Sequence, residues 1–402
     1  MQDVKGGVTA PAGFMAAGVR ADIKGTGGAK RDVAVLASRV PCTAAGVYTT
    51  NVVKAAPVLL TRERTETGRL QAVVANSGNA NACTGEQGMQ DAADMARLAA
   101  EALGLEAAAV GVASTGVIGV HLPMERVAAG IAAAAAALSP EGGDDAAQAI
   151  MTTDTFSKQI AVQVDLGGVP VTIGAMAKGS GMIHPNMATM LGFVTTDADV
   201  EPAALRTALQ KATARSFNMI TVDGDTSTND MVVALANGMA GNQKVMLCTS
   251  QYEEFAAALE HVLTYLAREI ARDGEGATKL IEVQVKGAAS LPDARKAARS
   301  VCGSSLVKAA VYGEDANWGR VLAALGYSGA QFNPNKVDLW LGELQMMAAG
   351  APVAFDEEAA AQVLKGKEVC FIADLHAGEA EATAWGCDLT YDYVKINGSY
   401  RT

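Results

Sequence analysis

Aromatic residues are scarce: Phe, Trp and Tyr together make up 5% of the 402 residues. A core with so few large rings must be packed from small side chains, and the abundance of Ala and the 42 Gly fit that. Histidine is nearly absent. His121, His184, His261 and His376 are the four, and no two have metal-ligand spacing. The six cysteines, Cys42, Cys83, Cys248, Cys302, Cys370 and Cys387, form no C-x-x-C pair, which removes the usual zinc and redox motifs. They are expected to be reduced, mostly buried thiols in the cytoplasm, not a disulfide framework. The first residues lack a basic stretch followed by an apolar run, so no secretory signal is expected. The most apolar tract, residues 127–138, is too short to span a bilayer and predicts a buried helix. No phosphate-binding G-x-x-x-x-G-K-[ST] occurs.

Positive charge is also short. The formal net charge is −11, which disfavours a nucleic-acid partner but leaves room for a local cationic pocket. With 50% hydrophobic and 19% charged residues, the chain has the balance of a compact protein and predicts no membrane partner.

Periodicity predicts short strands and turns over 32–53, strands at 70–75 and 110–113, a helix over 88–103, and a further helix beginning near Pro123. Residues 160–164 and 169–173 flank Asp165-Leu166-Gly167-Gly168, a hairpin signal. Helices are predicted over 202–215, 252–272 and 293–301, and strands at 190–194 and 281–285. Strands and helices mix without strict βαβ order, so the expected class is α+β. It is read as a layered α/β/β/α core with a smaller C-terminal α/β lobe.

The decisive segment is 177–191, AKGSGMIHPNMATML. A flexible glycine loop, 178–186, leads to the small Ala188, then to Thr189, then to an apolar strand. This order suits self-cleavage. The Thr189 hydroxyl attacks the Ala188 carbonyl, forms an ester, and leaves a free α-amine after hydrolysis. That amine, with a pKa of about 7.7–8.0 in peptides, is a base beside its own hydroxyl. A threonine in a strand is ordinarily only a β-former, and only the longer segment outweighs that reading.

The segment resembles the ornithine acetyltransferase family, also called glutamate N-acetyltransferase. The likeness extends to residues 76–81 (NSGNAN), 114–119 (STGVIG), 152–155 (TTDT), 223–230 (DGDTSTND), 274–279 (GEGATK), 313–320 (GEDANWGR) and 397–402 (NGSYRT), across nearly the whole chain. It implies an α chain, 1–188, and a β chain beginning with the nucleophile Thr189, 189–402, folded together. It implies acetyl transfer from N2-acetyl-L-ornithine to L-glutamate by a ping-pong mechanism through acetyl-Thr189. Thr115 and Gly116 would form the oxyanion hole. Thr152, Lys178, Thr189, Glu275, Asn397 and Thr402 would contact substrate. A heterotetramer of two α and two β chains is implied, with no cofactor and with acetyl-CoA open as a co-substrate. Two rivals remain at this point: a self-processed amidohydrolase or aminopeptidase that passes the acyl group to water, and a binding protein that never cleaves. The acidic run 223–230 fails the calcium-loop pattern, with Thr228 and Ala234 where Gly and Glu belong, and is read as structural turns or as support for the active site.

Overall fold

A computed structural model of the chain describes residues 1–184 and 190–399. They form two compact units, each described by itself. The first comprises residues 1–179, 185–218 and 226–266. The second comprises 180–184, 219–225 and 267–402.

The first unit holds a nine-stranded sheet. Its strands are β1 (Gln2–Val4), β2 (Phe14–Val19), β3 (Val33–Tyr48), β4 (Arg69–Asn76), β5 (Val110–Ser114), β6 (Lys158–Asp165), β7 (Pro170–Lys178), β8 (Leu191–Thr196) and β9 (Met231–Ala236). The order is β1-β6-β7-β8-β9-β3-β4-β5, with β2 added beside β3. Residues 33–37 of β3 pair with β2 and β4, whereas Thr43–Tyr48 pair with β9. One strand thus belongs to both halves of the sheet, and a register shift between Ala37 and Cys42 marks the change. Where several short strands were expected, there is one of 16 residues. Its exposed Arg39 and Pro41 look like a break in the sequence, but the shift absorbs them, and Pro41 has no N–H to give the ladder.

Alternation along the strands makes two cores. Ala34 and Leu36 face one way and share a buried cluster with Val73, Leu191, Phe193, Met231 and Val233. That cluster lies between the two halves of the sheet. Val33, Val35 and Ala37 face the other way, against Met95, Ala99, Val127 and Ile131. Those four come from the helices Gly85–Leu103 and Met124–Ala136. The helix Pro202–Arg215 packs on β3, and its Leu205, Ala208 and Leu209 are buried. This is the α/β/β/α layering expected from the pattern. The β6–β7 hairpin turns on Gly167 and Gly168 at φ +69° and +89°, which L side chains rarely adopt.

The second unit carries a mixed sheet of β10 (Leu280–Ala288), β11 (Asp338–Leu341), β12 (Leu344–Ala348), β13 (Ala351–Pro352), β14 (Glu368–Asp374) and β15 (Ala380–Cys387), ordered β13-β12-β11-β14-β10-β15. The helix Leu291–Gly303 covers β10 and β15 with Ala294, Ala297, Ala298 and Val301. It is started by Ser290, whose side chain accepts from the Asp293 N–H, and by Pro292 in the first turn. This is the smaller C-terminal α/β lobe. Among the described residues no helix is long and apolar enough to cross a membrane. All six cysteines are free, but only Cys42, Cys302 and Cys387 are buried, and Cys83 and Cys248 are exposed. The expectation of mostly buried thiols therefore holds for half of them. Cys83 and Cys248 lie in loops, and Cys370 is half-buried in β14.

Candidate active site

The first cluster begins where β5 ends. Ser114 is its last residue, and the chain turns at once through Thr115 and Gly116. Gly116 has φ +134°, and a Cβ there would fall 2.3 Å from the Gly78 carbonyl carbon and 2.5 Å from the Asn79 nitrogen. Only glycine fits that conformation and that space. The loop 76–81 holds the turn in place. Thr115 N–H donates to the Asn76 carbonyl at 3.0 Å, and Val117 N–H to the Gly78 carbonyl at 3.4 Å. Ser114 Oγ donates to Asn76 Oδ1 at 2.6 Å. Asn229 ties loop and strand together by donating to the Ala80 and Ser114 carbonyls at 2.6 and 2.8 Å. Within the run 223–230 it is Asn229 that supports the turn. Among the described residues the Gly116 N–H, set between two bonded neighbours, meets no acceptor. A braced turn with one unused N–H and a hydroxyl beside it is equipped to receive an oxyanion.

Lys178, the last residue of β7, is 7% exposed and reaches the same place. Its Nζ lies 2.7 Å from Thr152 Oγ1 and 3.5 Å from Thr115 Oγ1. Asp154 organises the group. Its carboxylate accepts from Lys158 Nζ at 2.9 Å, Gly179 N–H at 2.7 Å and Thr152 N–H at 2.9 Å, and lies 3.9 Å from Lys178 Nζ. Burial opposes its ionisation, but Lys178 and then Lys158 outweigh that and hold the carboxyl well below the usual range. Lys30 Nζ donates to the Thr152 carbonyl at 2.5 Å. Its own pKa is pushed down, chiefly by burial, with Asp154 opposing and Lys178 adding to the fall. Lys30, Lys158 and Lys178 thus gather at Asp154 and the neighbouring Thr152. Cationic side chains here suit a substrate carboxylate and a developing oxyanion alike. Thr115→Val keeps the shape and removes the hydroxyl. Its turnover is expected to fall roughly 10²–10³-fold with the melting temperature little changed, measured by initial rates and thermal unfolding. A rate close to the parent's would remove Thr115 from the oxyanion role.

The second cluster lies in the second unit. Glu275, 7% exposed, sits between Gly274 and Gly276. Its N–H donates to the Ser180 carbonyl at 3.0 Å, and Asn397 Nδ2 donates to its Oε2 at 2.7 Å. Asn397 ends the helix Tyr391–Asn397, which is capped by Thr390. A Cβ on Gly181 would stand 2.4 Å from the Glu275 carboxylate, so Gly181 provides close approach. The segment 180–184 is held at many points. Ser180 Oγ donates to the Asp273 carbonyl at 2.6 Å, and the N–H groups of Met182 and Ile183 donate to Asp223 at 2.6 and 2.9 Å. The flexible loop expected over 178–186 is therefore corrected for residues 178–184: Lys178 closes a strand and 180–184 are pinned. His184 Nδ1 lies 3.0 Å from Thr221 Oγ1, and its Nε2 accepts from Arg299 at 2.8 Å. Burial, and then Arg299, push its pKa down to about 4. It is neutral near pH 7, and with Nε2 accepting from Arg299 its ring proton lies on Nδ1 toward Thr221, so it holds the segment.

Thr189, Ala188 and Thr402 lie outside the described residues. Of the other site residues, the structure brings Thr115, Gly116, Thr152 and Lys178 together in one unit, and Glu275 with Asn397 in the other. Asp154, Lys158 and Asn229 were not assigned roles from sequence. An Asp four residues before a Lys that opens a strand was the available signal for the first two. Among the described residues no group of His, Cys, Asp or Glu could hold a metal ion.

A braced turn with a hydroxyl, an unused N–H and a buried lysine is suited to acyl-transfer chemistry. The chain belongs to the ArgJ family, whose model matches residues 15–402. It is 79% identical to the arginine biosynthesis bifunctional protein ArgJ of Symbiobacterium thermophilum and 55% identical to that of Caldanaerobacter subterraneus subsp. tengcongensis, each over the full length of both chains. Among solved structures, the arginine biosynthesis bifunctional protein ArgJ of Bacillus halodurans aligns with a TM-score of 0.52 and 49% identity. The alignment covers 53% of this chain and 100% of that one.

Proposed function

We propose that the chain cuts itself between Ala188 and Thr189 and then moves an acetyl group from N2-acetyl-L-ornithine to L-glutamate through acetyl-Thr189. The products are L-ornithine and N-acetyl-L-glutamate. The observation that carries this is a register: Leu191, two residues after Thr189, pairs with Lys178 across β7 and β8. The strand that follows the nucleophile is thus built against the lysine of the Thr115 cluster. Residues 189–402 make up about 53% of the chain. That equals the share covered by the whole Bacillus halodurans chain, which supports two separate fragments.

The Thr189 amine takes the proton from its own hydroxyl, and the oxygen attacks the acetyl carbonyl. Thr115 hydroxyl and Gly116 N–H receive the oxyanion. Thr152 and Lys178 hold the α-carboxylate that acetylornithine and glutamate share. Glu275, steadied by Asn397, takes the side-chain amine of ornithine, and the Thr402 carboxylate completes the contacts. The reaction needs no resident cofactor. Acetyl-CoA serves as a second donor to the same threonine, which fits the word bifunctional in the relatives' names. The working form is a cytoplasmic heterotetramer of two α and two β chains.

The test is product balance. With acetylornithine as donor, added glutamate is expected to yield acetylglutamate in step with ornithine, and the reciprocal plots are expected to be parallel. Acetate release at a rate indifferent to glutamate would mean a hydrolase instead.

A further inference from the structure

Glu275 is seated on a segment far earlier in the chain. Its N–H donates to the Ser180 carbonyl at 3.0 Å. Its carboxylate lies where a side chain on Gly181 would begin: a Cβ there would fall 2.4 Å from Cδ and Oε2 and 2.5 Å from Oε1. Asp223 clasps the next two residues. Its Oδ2 accepts from Met182 N–H at 2.6 Å and its Oδ1 from Ile183 N–H at 2.9 Å. Val222 N–H donates back to the Ile183 carbonyl at 2.6 Å. The clasp holds Met182 at φ +55°, in the left-handed region that residues with a Cβ seldom adopt. N2-acetyl-L-ornithine ends its side chain in an ammonium, whereas L-glutamate ends its in a carboxylate. A fixed carboxylate attracts the first and repels the second. One that can swing aside distinguishes them less.

We propose that Gly181, clasped by Asp223, is a positioning residue that sets the preference between the two substrates by fixing the Glu275 carboxylate. The proposal rests on the reading of Glu275 as the partner of the side-chain amine. The backbone of 180–183 is tied at several points, whereas the Glu275 carboxylate is the far end of a flexible side chain. A Cβ at residue 181 is therefore relieved by movement of that carboxylate, with loss of its bond from Asn397, and not by unfolding of the segment. Asp223→Asn reaches the same carboxylate by another route. An amide oxygen cannot replace both carboxylate oxygens, so Met182 and the Gly181 before it are released.

Initial rates of the cut enzyme, varied in each substrate, test this. In a ping-pong reaction kcat/KM for acetylornithine reports the donor half and kcat/KM for glutamate the acceptor half. Gly181→Ala is expected to lower the first about tenfold, the scale of one charge-assisted contact, and to leave the second unchanged or raise it. Asp223→Asn is expected to show the same split. Glu275→Gln is the reference and should lower the donor half at least as much. If Glu275→Gln lowers it and Gly181→Ala does not, Glu275 keeps its role and the positioning role of Gly181 is overturned. A fall in both halves alike in Gly181→Ala marks general damage and overturns it as well. An Asp223→Asn enzyme with its donor half intact removes the clasp. If Glu275→Gln itself leaves the donor half intact, the reading of Glu275 fails and this proposal with it.

Discussion

Thr189→Ala is expected to leave a single chain of 41.1 kDa on a denaturing gel, where the parent is expected to show two fragments. It is also expected to abolish acetyl transfer. Both losses follow from one atom. Without Oγ there is no ester with Ala188, and so no free amine and no acyl carrier. The variant should still fold, because the strand after residue 189 is fixed by its pairing from Leu191 to Thr196 with β7 and β9, not by the cut. Residues on both sides of 188/189 share that sheet. Removing a nucleophile that acts together with its base typically costs on the order of 10⁶ in turnover. A variant that matured normally would show that another group cuts the chain. One that matured and still turned over would remove Thr189 from the chemistry altogether.

Asp154→Asn is the second large effect expected, and it reaches stability as well as rate. Lys158 has no exposed side-chain surface and Lys178 only 8%. The substitution takes the Asp154 carboxylate away from both buried ammonium groups, and breaking a buried pair costs about 3–5 kcal/mol. Thermal unfolding should show a marked fall in melting temperature, and the rate should drop because Thr152 and Lys178 lose their common anchor. Lys158→Met added to Asp154→Asn removes one stranded charge and should recover part of the stability but little of the rate. The parent's pH dependence has a definite sign. Asp154's folded pKa lies below its unfolded value, so its contribution is complete above about pH 4, the usual carboxylate value, and is lost only as pH falls toward the depressed one. An Asp154→Asn protein as stable as the parent would mean that the lysines are solvated, not buried.

Much of this was legible because local chemistry agreed with the tertiary outcome. Glu201-Pro202 at one end and Arg215 at the other bound a helix that the structure gives as Pro202–Arg215. Gly167 and Gly168 marked the hairpin because their left-handed backbone is needed there. The long β3 was not legible, because a strand buried in both halves of a sheet loses its alternation. The pinning of 180–184 was hidden for a different reason. Its partners, Asp223, Asp273 and Glu275, lie about 40 or more residues away in the chain. Glycines there read as freedom, yet Gly181 is required by the approach of a carboxylate. Asp154 stood in a quoted motif, but its role depends on two lysines delivered by separate strands, β6 and β7. Sequence pattern reports what a residue is beside in the chain, whereas a charge cluster is set by what the sheet brings beside it.

The most direct measurement is the mass and terminal sequence of the larger mature fragment after exposure to acetylornithine without glutamate. It should begin at Thr189, weigh one acetyl group more, and lose that group when glutamate is added. A fragment that begins elsewhere, or turns over while never carrying acetyl on its first residue, would contradict an acyl-enzyme on Thr189.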